Sequence, residues 1–119
     1  MNVLIVESVR DLGRLWKRHL ERAGACVDLV HNQEDAVDAL HEQEYNILVV
    51  DLVLDDGSPL TVADFASYRC PTAKVIFVTN TSFFSDGSIF AHCANARVMM
   101  PEDTAPEDLT AVVEHYAVN

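Results

Sequence analysis

The amino-acid sequence predicts an α/β fold, a parallel β-sheet covered by helices on both faces, and three observations carry that prediction. Apolar residues run without helical gaps from Val3 to Val6, from Ile47 to Val50 and from Val75 to Val78. Unbroken runs of this length mark strands buried on both faces, the environment of a parallel sheet between two helical layers. The segments between the runs carry helical periodicity, so strand and helix alternate along the chain. Half of the 119 residues are hydrophobic and 23% are charged, which suits one core and is too apolar for disorder.

After the first strand, Leu12, Leu15, Trp16, His19, Leu20 and Ala23 recur at i, i+3, i+4, i+7, i+8 and i+11, one face of a helix between Val9 and Ala23. Gly24 ends that helix, because glycine enters the left-handed region at a helix terminus without steric cost. Cys26 to Val30 read as a second strand. Asn32 then caps a helix through about Glu42, with Ala36, Val37 and Leu40 facing inward. Beyond the third strand, Asp51 to Pro59 form a loop rich in acids, glycine and proline. A short helix from about Pro59 to Tyr68 closes at Cys70-Pro71. The fourth strand leads to Thr79-Asn80-Thr81-Ser82, and a helix is expected around Phe83 to Ala94, weakened by Ser85-Asp86-Gly87-Ser88 in its middle. Arg97 to Met100 make a short fifth strand. Thr104-Ala105-Pro106-Glu107 reads as a capping box for a last helix carrying Leu109, Val112, Val113 and Tyr116.

Five strands alternating with five helices imply a doubly wound sheet, and right-handed crossovers leave few topologies. The expected one is the flavodoxin-like (βα)5 order 2-1-3-4-5, in one domain over residues 1–119. Ligands of such sheets sit beyond the carboxyl ends of the strands, at the switch point beside strands one and three. Glu7, Ser8, Asp51, Thr79, Met100 and Pro101 fall there. Two carboxylates at one crevice, Glu7 and Asp51, offer a hard oxygen site whose repulsion a bound Mg²⁺ relieves. A carboxylate so held can attack a phosphoryl group, and a hydroxyl such as that of Thr79 can hydrogen-bond the product oxygens. Acids that merely cap loop and helix backbone fit the spacing equally well.

Nineteen acidic against eight basic residues give a net charge of −11, which disfavours nucleic acid and anionic membranes as partners. No apolar run approaches the ~20 residues of a membrane span. The opening MNVLIVES lacks a basic leader and a small-residue cleavage site, so a cytoplasmic location is expected. The three cysteines, Cys26, Cys70 and Cys93, lack C-x-x-C spacing and read as buried thiols. The five histidines form no ligand spacing. Arg10, Arg14, Lys17, Arg18 and Arg22 place five of the eight basic residues on the outer face of the first helix, either as a solvated face or as a docking face.

The stretches V-L-I-V-E-S, I-L-V-V-D-L-V-L-D-D-G-S, V-I-F-V-T and M-P occur in order over nearly the whole chain. Together they resemble the receiver domain of bacterial response regulators. The resemblance implies that Asp51 takes a phosphoryl group from a histidine kinase or a histidine phosphotransfer protein, and that Thr79 is the switch hydroxyl. It implies Mg²⁺ held by acids after the first strand, by Asp51 and by the backbone carbonyl of Val53. Three positions depart from the family pattern. Ser8 stands where the second, metal-contacting acid is expected, which weakens Mg²⁺ binding and leaves Glu7 to an outer role. Asp55 or Asp56 is a candidate to compensate. Met100 stands where a lysine pairs with the phosphoryl group, and Arg97 stands at the aromatic switch position.

The reading that follows is an atypical receiver, not an enzyme beyond self-phosphorylation from a phosphodonor, whose Asp51 is an inefficient phosphoacceptor and which acts on an output protein. Helix one, through Arg10, Arg14, Lys17 and Arg18, would select an acidic phosphodonor surface. The alternative is an interaction module whose Asp51 is chemically idle. A small flavodoxin-like enzyme or flavin protein fits less well, since Glu7-Ser8-Val9-Arg10-Asp11 lacks the small and hydroxyl residues of a phosphate-cradling turn.

Overall fold

The structure is a computed structural model that describes residues 1–79 and 93–118. Five strands, β1 (Asn2–Val6), β2 (Cys26–Val30), β3 (Ile47–Asp51), β4 (Lys74–Thr79) and β5 (Ala96–Pro101), alternate with helices α1 (Arg10–Arg22), α2 (Gln33–Glu42), α3 (Pro59–Arg69) and α4 (Pro106–Ala117). The helix expected around Phe83 to Ala94 falls outside the described residues except for Cys93 and Ala94, which lie in the non-helical approach to β5. The strands form one sheet in the order β2-β1-β3-β4-β5, and every neighbouring pair is parallel, as the sequence predicts. Strands β3, β4 and β5 run past their apolar runs to Asp51, Thr79 and Pro101, because ladder pairing continues into the polar residues at the carboxyl edge.

Alternation along the central strands divides the core between the two faces. Leu4, Val6, Leu48, Val50, Val75 and Phe77 pack with Ala36 and Leu40 of α2 and with Val62, Ala63 and Ala66 of α3. Val3, Ile5, Ile47, Val49, Ile76 and Val78 pack with Trp16 and Leu20 of α1 and with Leu109 and Val113 of α4. At roughly 1.5–3 kcal/mol for each fully buried large apolar side chain, these two layers are the main favourable term of the fold.

Most element ends follow the expected local chemistry. Asn32 Oδ1 accepts from the Asp35 amide at 2.8 Å, and Ser58 Oγ accepts from the Thr61 amide, so both helices start on a side-chain cap. Gly24, at φ +99°, closes α1: its amide donates to Glu21 O, and the Ala25 amide donates to Leu20 O. Three expectations are corrected. The capping box at Thr104 does not form; α4 starts one residue later, with Ala105 as N-cap and Pro106 in the first turn. Pro106 fixes its own φ and holds Ala105 extended, which sets the start without a side-chain cap. Ala23 is exposed at the C-cap instead of lying on the apolar face. Cys26 is exposed because the alternation of the edge strand β2 turns it outward, whereas Cys70 and Cys93 are buried as expected. No helix among the described residues is long and apolar enough to cross a membrane.

The loop after β3 is fixed by Gly57, at φ +101°, which lies so close to α2 that a Cβ there would stand 2.3 Å from Gln33 Cβ. Gln33 bonds both sides of the glycine, its amide donating to Asp56 O and its Oε1 accepting from the Ser58 amide at 2.8 Å. Gly57→Ala therefore meets both a strained φ and a backbone-anchored neighbour. Urea unfolding should show it destabilised by roughly 2 kcal/mol or more, and a midpoint equal to wild type would contradict the packing described here.

Candidate functional site

Because all five strands run in one direction, their carboxyl ends share one edge, and the residues there come from four separate strands. Glu7 follows β1, its amide donating to Val30 O as a continuation of the β1–β2 ladder. Asp51 is the last residue of β3, Thr79 the last of β4 and Pro101 the last of β5. Glu7 is fully buried, Asp51 is 3% exposed and Thr79 is 7% exposed. The sequence therefore places Glu7, Asp51 and Thr79 where the chemistry was expected.

The Asp51 carboxylate is oriented by a local turn in which the Val53 amide donates to Asp51 Oδ1 at 2.8 Å, while the Leu52 amide donates to Val78 O. Val53 itself is half exposed. Ser8 does not take the role of the missing acid. Its hydroxyl donates to His31 O at 3.4 Å and accepts from the Asp55 amide at 2.9 Å, tying together the loops after β1, β2 and β3. His31 adds to the tie through Nδ1, 2.9 Å from Glu7 O; a carbonyl only accepts, so Nδ1 carries the proton. Asp55 and Asp56 are exposed and do not join the acidic cluster.

The third carboxylate comes from a residue that sequence reasoning missed. Glu102, half-buried and directly after β5, brings an oxygen into a group with Glu7 and Asp51 in which one oxygen of each lies within 4.8 Å of the others. Its position is fixed by its amide, which donates to Thr79 O at 3.0 Å. The available signal was an acid immediately after M-P at the same edge as Asp51. Three hard oxygen donors at this spacing, two of them buried, suit a divalent cation such as Mg²⁺ or Ca²⁺.

Among the described residues, no cation offsets this charge. Among the described residues, no lysine or arginine forms an ion pair or hydrogen bond with Glu7, Asp51 or Glu102. Met100 packs into the core layer under α1 and α4. Arg97 sits near the amino end of β5, where its guanidinium donates to Ala94 O and Ala96 O. Lys74, at the amino end of β4, donates to Tyr116 O at 2.8 Å. Both are held at the opposite edge of the sheet from Asp51. On α1, Arg10, Arg14, Arg18 and Arg22 are exposed and Lys17 is half-buried. Arg14 pairs with Asp11 at 3.3 Å and Lys17 with Glu21 at 3.9 Å. Arg10, Arg18 and Arg22 form no ion pair among the described residues.

Comparison with known proteins gives a consistent picture. No family model matches the chain. It is 27% identical, over 89% of its length and 78% of the relative's, to the response regulator receiver protein CpdR of Brucella abortus (strain 2308). The fold matches a CheY-like response regulator receiver domain protein from Methanospirillum hungatei JF-1 with a TM-score of 0.89 at 20% identity, covering 98% of this chain and 93% of that one. It also matches TrrA of Thermotoga maritima, in complex with Mg²⁺ and beryllofluoride, with a TM-score of 0.83 at 21% identity over 97% of both chains. A Burkholderia pseudomallei response regulator with a phosphorylated aspartate and a calcium ion matches with a TM-score of 0.84 at 21% identity, covering 98% of this chain and 68% of that one. In sequence and in fold the chain is similar to response-regulator receivers, as its motifs predict.

The crowding of carboxylates has a measurable consequence. When Glu7 is ionised, neither of its buried oxygens has a donor to accept from. Burial first, then the adjacent Asp51 carboxylate and the charge of Glu102, push the Glu7 carboxyl from an ordinary value of 4.5 up to about 9. The folded state thus binds one more proton than the unfolded state between these values, so this group's contribution is full below about pH 4.5 and is lost as pH rises towards 9. Glu7→Gln, which keeps the shape without the charge, should be more stable than wild type at pH 8 by roughly 1–3 kcal/mol and nearly equal to it at pH 4.5. Chemical denaturation at the two pH values in a metal-free buffer reads the difference, and parallel stability curves would contradict it.

Proposed function

We propose that the chain is an atypical response-regulator receiver in two-component or phosphorelay signalling, with Asp51 as an inefficient phosphoacceptor. The observation that carries this reading is Asp51 itself: a nearly buried carboxylate at the carboxyl edge, oriented by the Val53 amide and flanked by Glu7 and Thr79, with no lysine or arginine bonded to it among the described residues. The phosphorylated aspartate of the Burkholderia relative and the beryllofluoride complex of the Thermotoga relative support assigning phosphoryl chemistry to this edge.

In the proposed reaction Asp51 Oδ2, the oxygen not bonded to the Val53 amide, attacks the phosphorus of a phosphohistidine. The P–N bond breaks, its electron pair stays on the imidazole nitrogen, and an acyl phosphate forms. A divalent cation bound at the acidic edge supplies charge neutralisation for the phosphoryl oxygens. Glu7 and Asp51 would hold it, with the Val53 carbonyl. The Thr79 hydroxyl, at the same edge, would hydrogen-bond a phosphoryl oxygen. With Met100 in the core, no ammonium pairs with the phosphoryl group, so transfer is slow and its link to the surface between β4 and β5 is weak. Receivers are signalling modules in general, and turnover of a substrate is not part of this reading.

The phosphodonor would be a histidine kinase or histidine phosphotransfer protein, docking on α1 through Arg10, Arg14, Lys17 and Arg18, with an output protein as the recipient. The positive face in a chain of net charge −11 favours an acidic partner surface and acts chiefly on the rate of encounter.

Intact-mass spectrometry after incubation with acetyl phosphate tests the acceptor. A single phosphoryl adduct that needs Mg²⁺ and is absent in Asp51→Ala is the expected result. No adduct at any Mg²⁺ concentration would replace this reading with an interaction module that works without phosphorylation. For the docking face, Arg14→Glu with Arg18→Glu should slow transfer from the phosphodonor protein by roughly tenfold or more at low salt, with acetyl phosphate labelling unchanged. Equal transfer rates at low salt would remove α1 from the interface.

A further inference from the structure

The family pattern calls for a second metal-contacting acid directly after the first strand, and this chain has Ser8 there, with its hydroxyl engaged by His31 O and the Asp55 amide. On the other side of the same crevice, the chain has an acid that the motifs do not call for. Glu102 is carried there by the turn that follows β5: its own amide bonds Thr79 O, and the Thr104 amide bonds Pro101 O at 3.0 Å. An acid free to turn into water would be expected to leave two buried carboxylates, since like charges repel. Instead its oxygen stays within 4.8 Å of both.

A second, independent observation points to a ligand. Glu7 is fully buried, and both of its carboxylate oxygens lack a hydrogen-bond partner. Buried carboxylates without donors are costly unless a cation or a proton completes them. The donors are all hard oxygens from the ends of three different strands, and Met100 brings no ammonium to the crevice.

We propose that Glu102 is a ligand of a divalent cation shared with Glu7 and Asp51, replacing the acid that Ser8 displaces, so that cation binding ties the β5–α4 loop to β1 and β3. The inference rests on the reading of this edge as a cation-assisted phosphoryl site and adds to it a ligand from the opposite wall. In the absence of a lysine, the cation takes over the connection between the Asp51 pocket and β5. Occupancy by the metal, before any phosphoryl transfer, then adds a side-chain tie to the backbone bonds that already hold Glu102 to Thr104.

The test is isothermal titration of the whole chain with MgCl₂, MnCl₂ and CaCl₂, comparing wild type, Glu102→Gln and Asp51→Asn, with amide hydrogen exchange at residues 102–104 as a second readout. Circular dichroism confirms folding, and Glu102→Asp stands in if the glutamine variant does not fold. Wild type should bind with the exchange of these amides slowed. Glu102→Gln should bind roughly tenfold or more weakly, since even outer partners of a metal contribute that much, and the slowing should disappear. Binding and exchange unchanged in Glu102→Gln, with binding lost in Asp51→Asn, would overturn the role of Glu102 and leave the phosphoryl site standing. Binding unchanged in Asp51→Asn would overturn the shared site, and no binding by wild type at millimolar metal would overturn both.

Discussion

The common direction of the five strands is the constraint on which the rest of the molecule depends. A parallel strand cannot turn back on its neighbour, so each return needs a crossover connection, and the described helices cover the two faces of the sheet. The two-sided core follows, and with it the continuous apolar runs in β1, β3 and β4. The same constraint sends every strand's last residue to one edge, which gathers Glu7, Asp51, Thr79 and Glu102 although they lie far apart in the chain. The edge is polar because the ladder continues beyond the apolar residues, and its backbone is held by bonds such as Leu52 N to Val78 O and Glu102 N to Thr79 O.

On that edge the Glu7 and Asp51 carboxylates are buried, and an oxygen of each lies within 4.8 Å of one on Glu102. Several of the protein's cations are fastened elsewhere: Lys74 to Tyr116 O, Arg97 to Ala94 O and Ala96 O, Arg14 and Lys17 to acids on α1. The charge distribution is therefore segregated, with a negative crevice at the strand ends and a positive face on α1. Burial and repulsion act on Glu7 in the same direction, and only a proton or an external cation satisfies both of its oxygens. The chemistry of the site is thus governed by what arrives from solution.

Most of the architecture was legible because it rests on local patterns. The four-residue apolar runs identified β1, β3 and β4; Gly24 and Asn32 marked helix ends through their own backbone and side-chain chemistry. Asp51, Glu7 and Thr79 could be placed because each directly follows or ends such a run. Errors arose where two local signals competed or where the partner was distant. Pro106 overrode Thr104 by fixing the backbone one residue later, and the edge position of β2 turned Cys26 outward. Glu102 was missed because its place depends on a bond to Thr79 O across the sheet, which no periodicity encodes. The occupation of Ser8 by His31 O and the Asp55 amide was hidden for the same reason.

Ser8 also bears on how much charge this edge carries. Its hydroxyl is both donor and acceptor, and it uses both roles to bind the loops after β2 and β3. A carboxylate at position 8 would keep the bond from the Asp55 amide but, lacking a proton, would face His31 O as a second acceptor. Such a substitution would therefore exchange a loop tie for one more acid near Glu7, Asp51 and Glu102. The serine hydroxyl therefore works as a clasp between loops, while the charge of the edge is left to the three acids around the crevice.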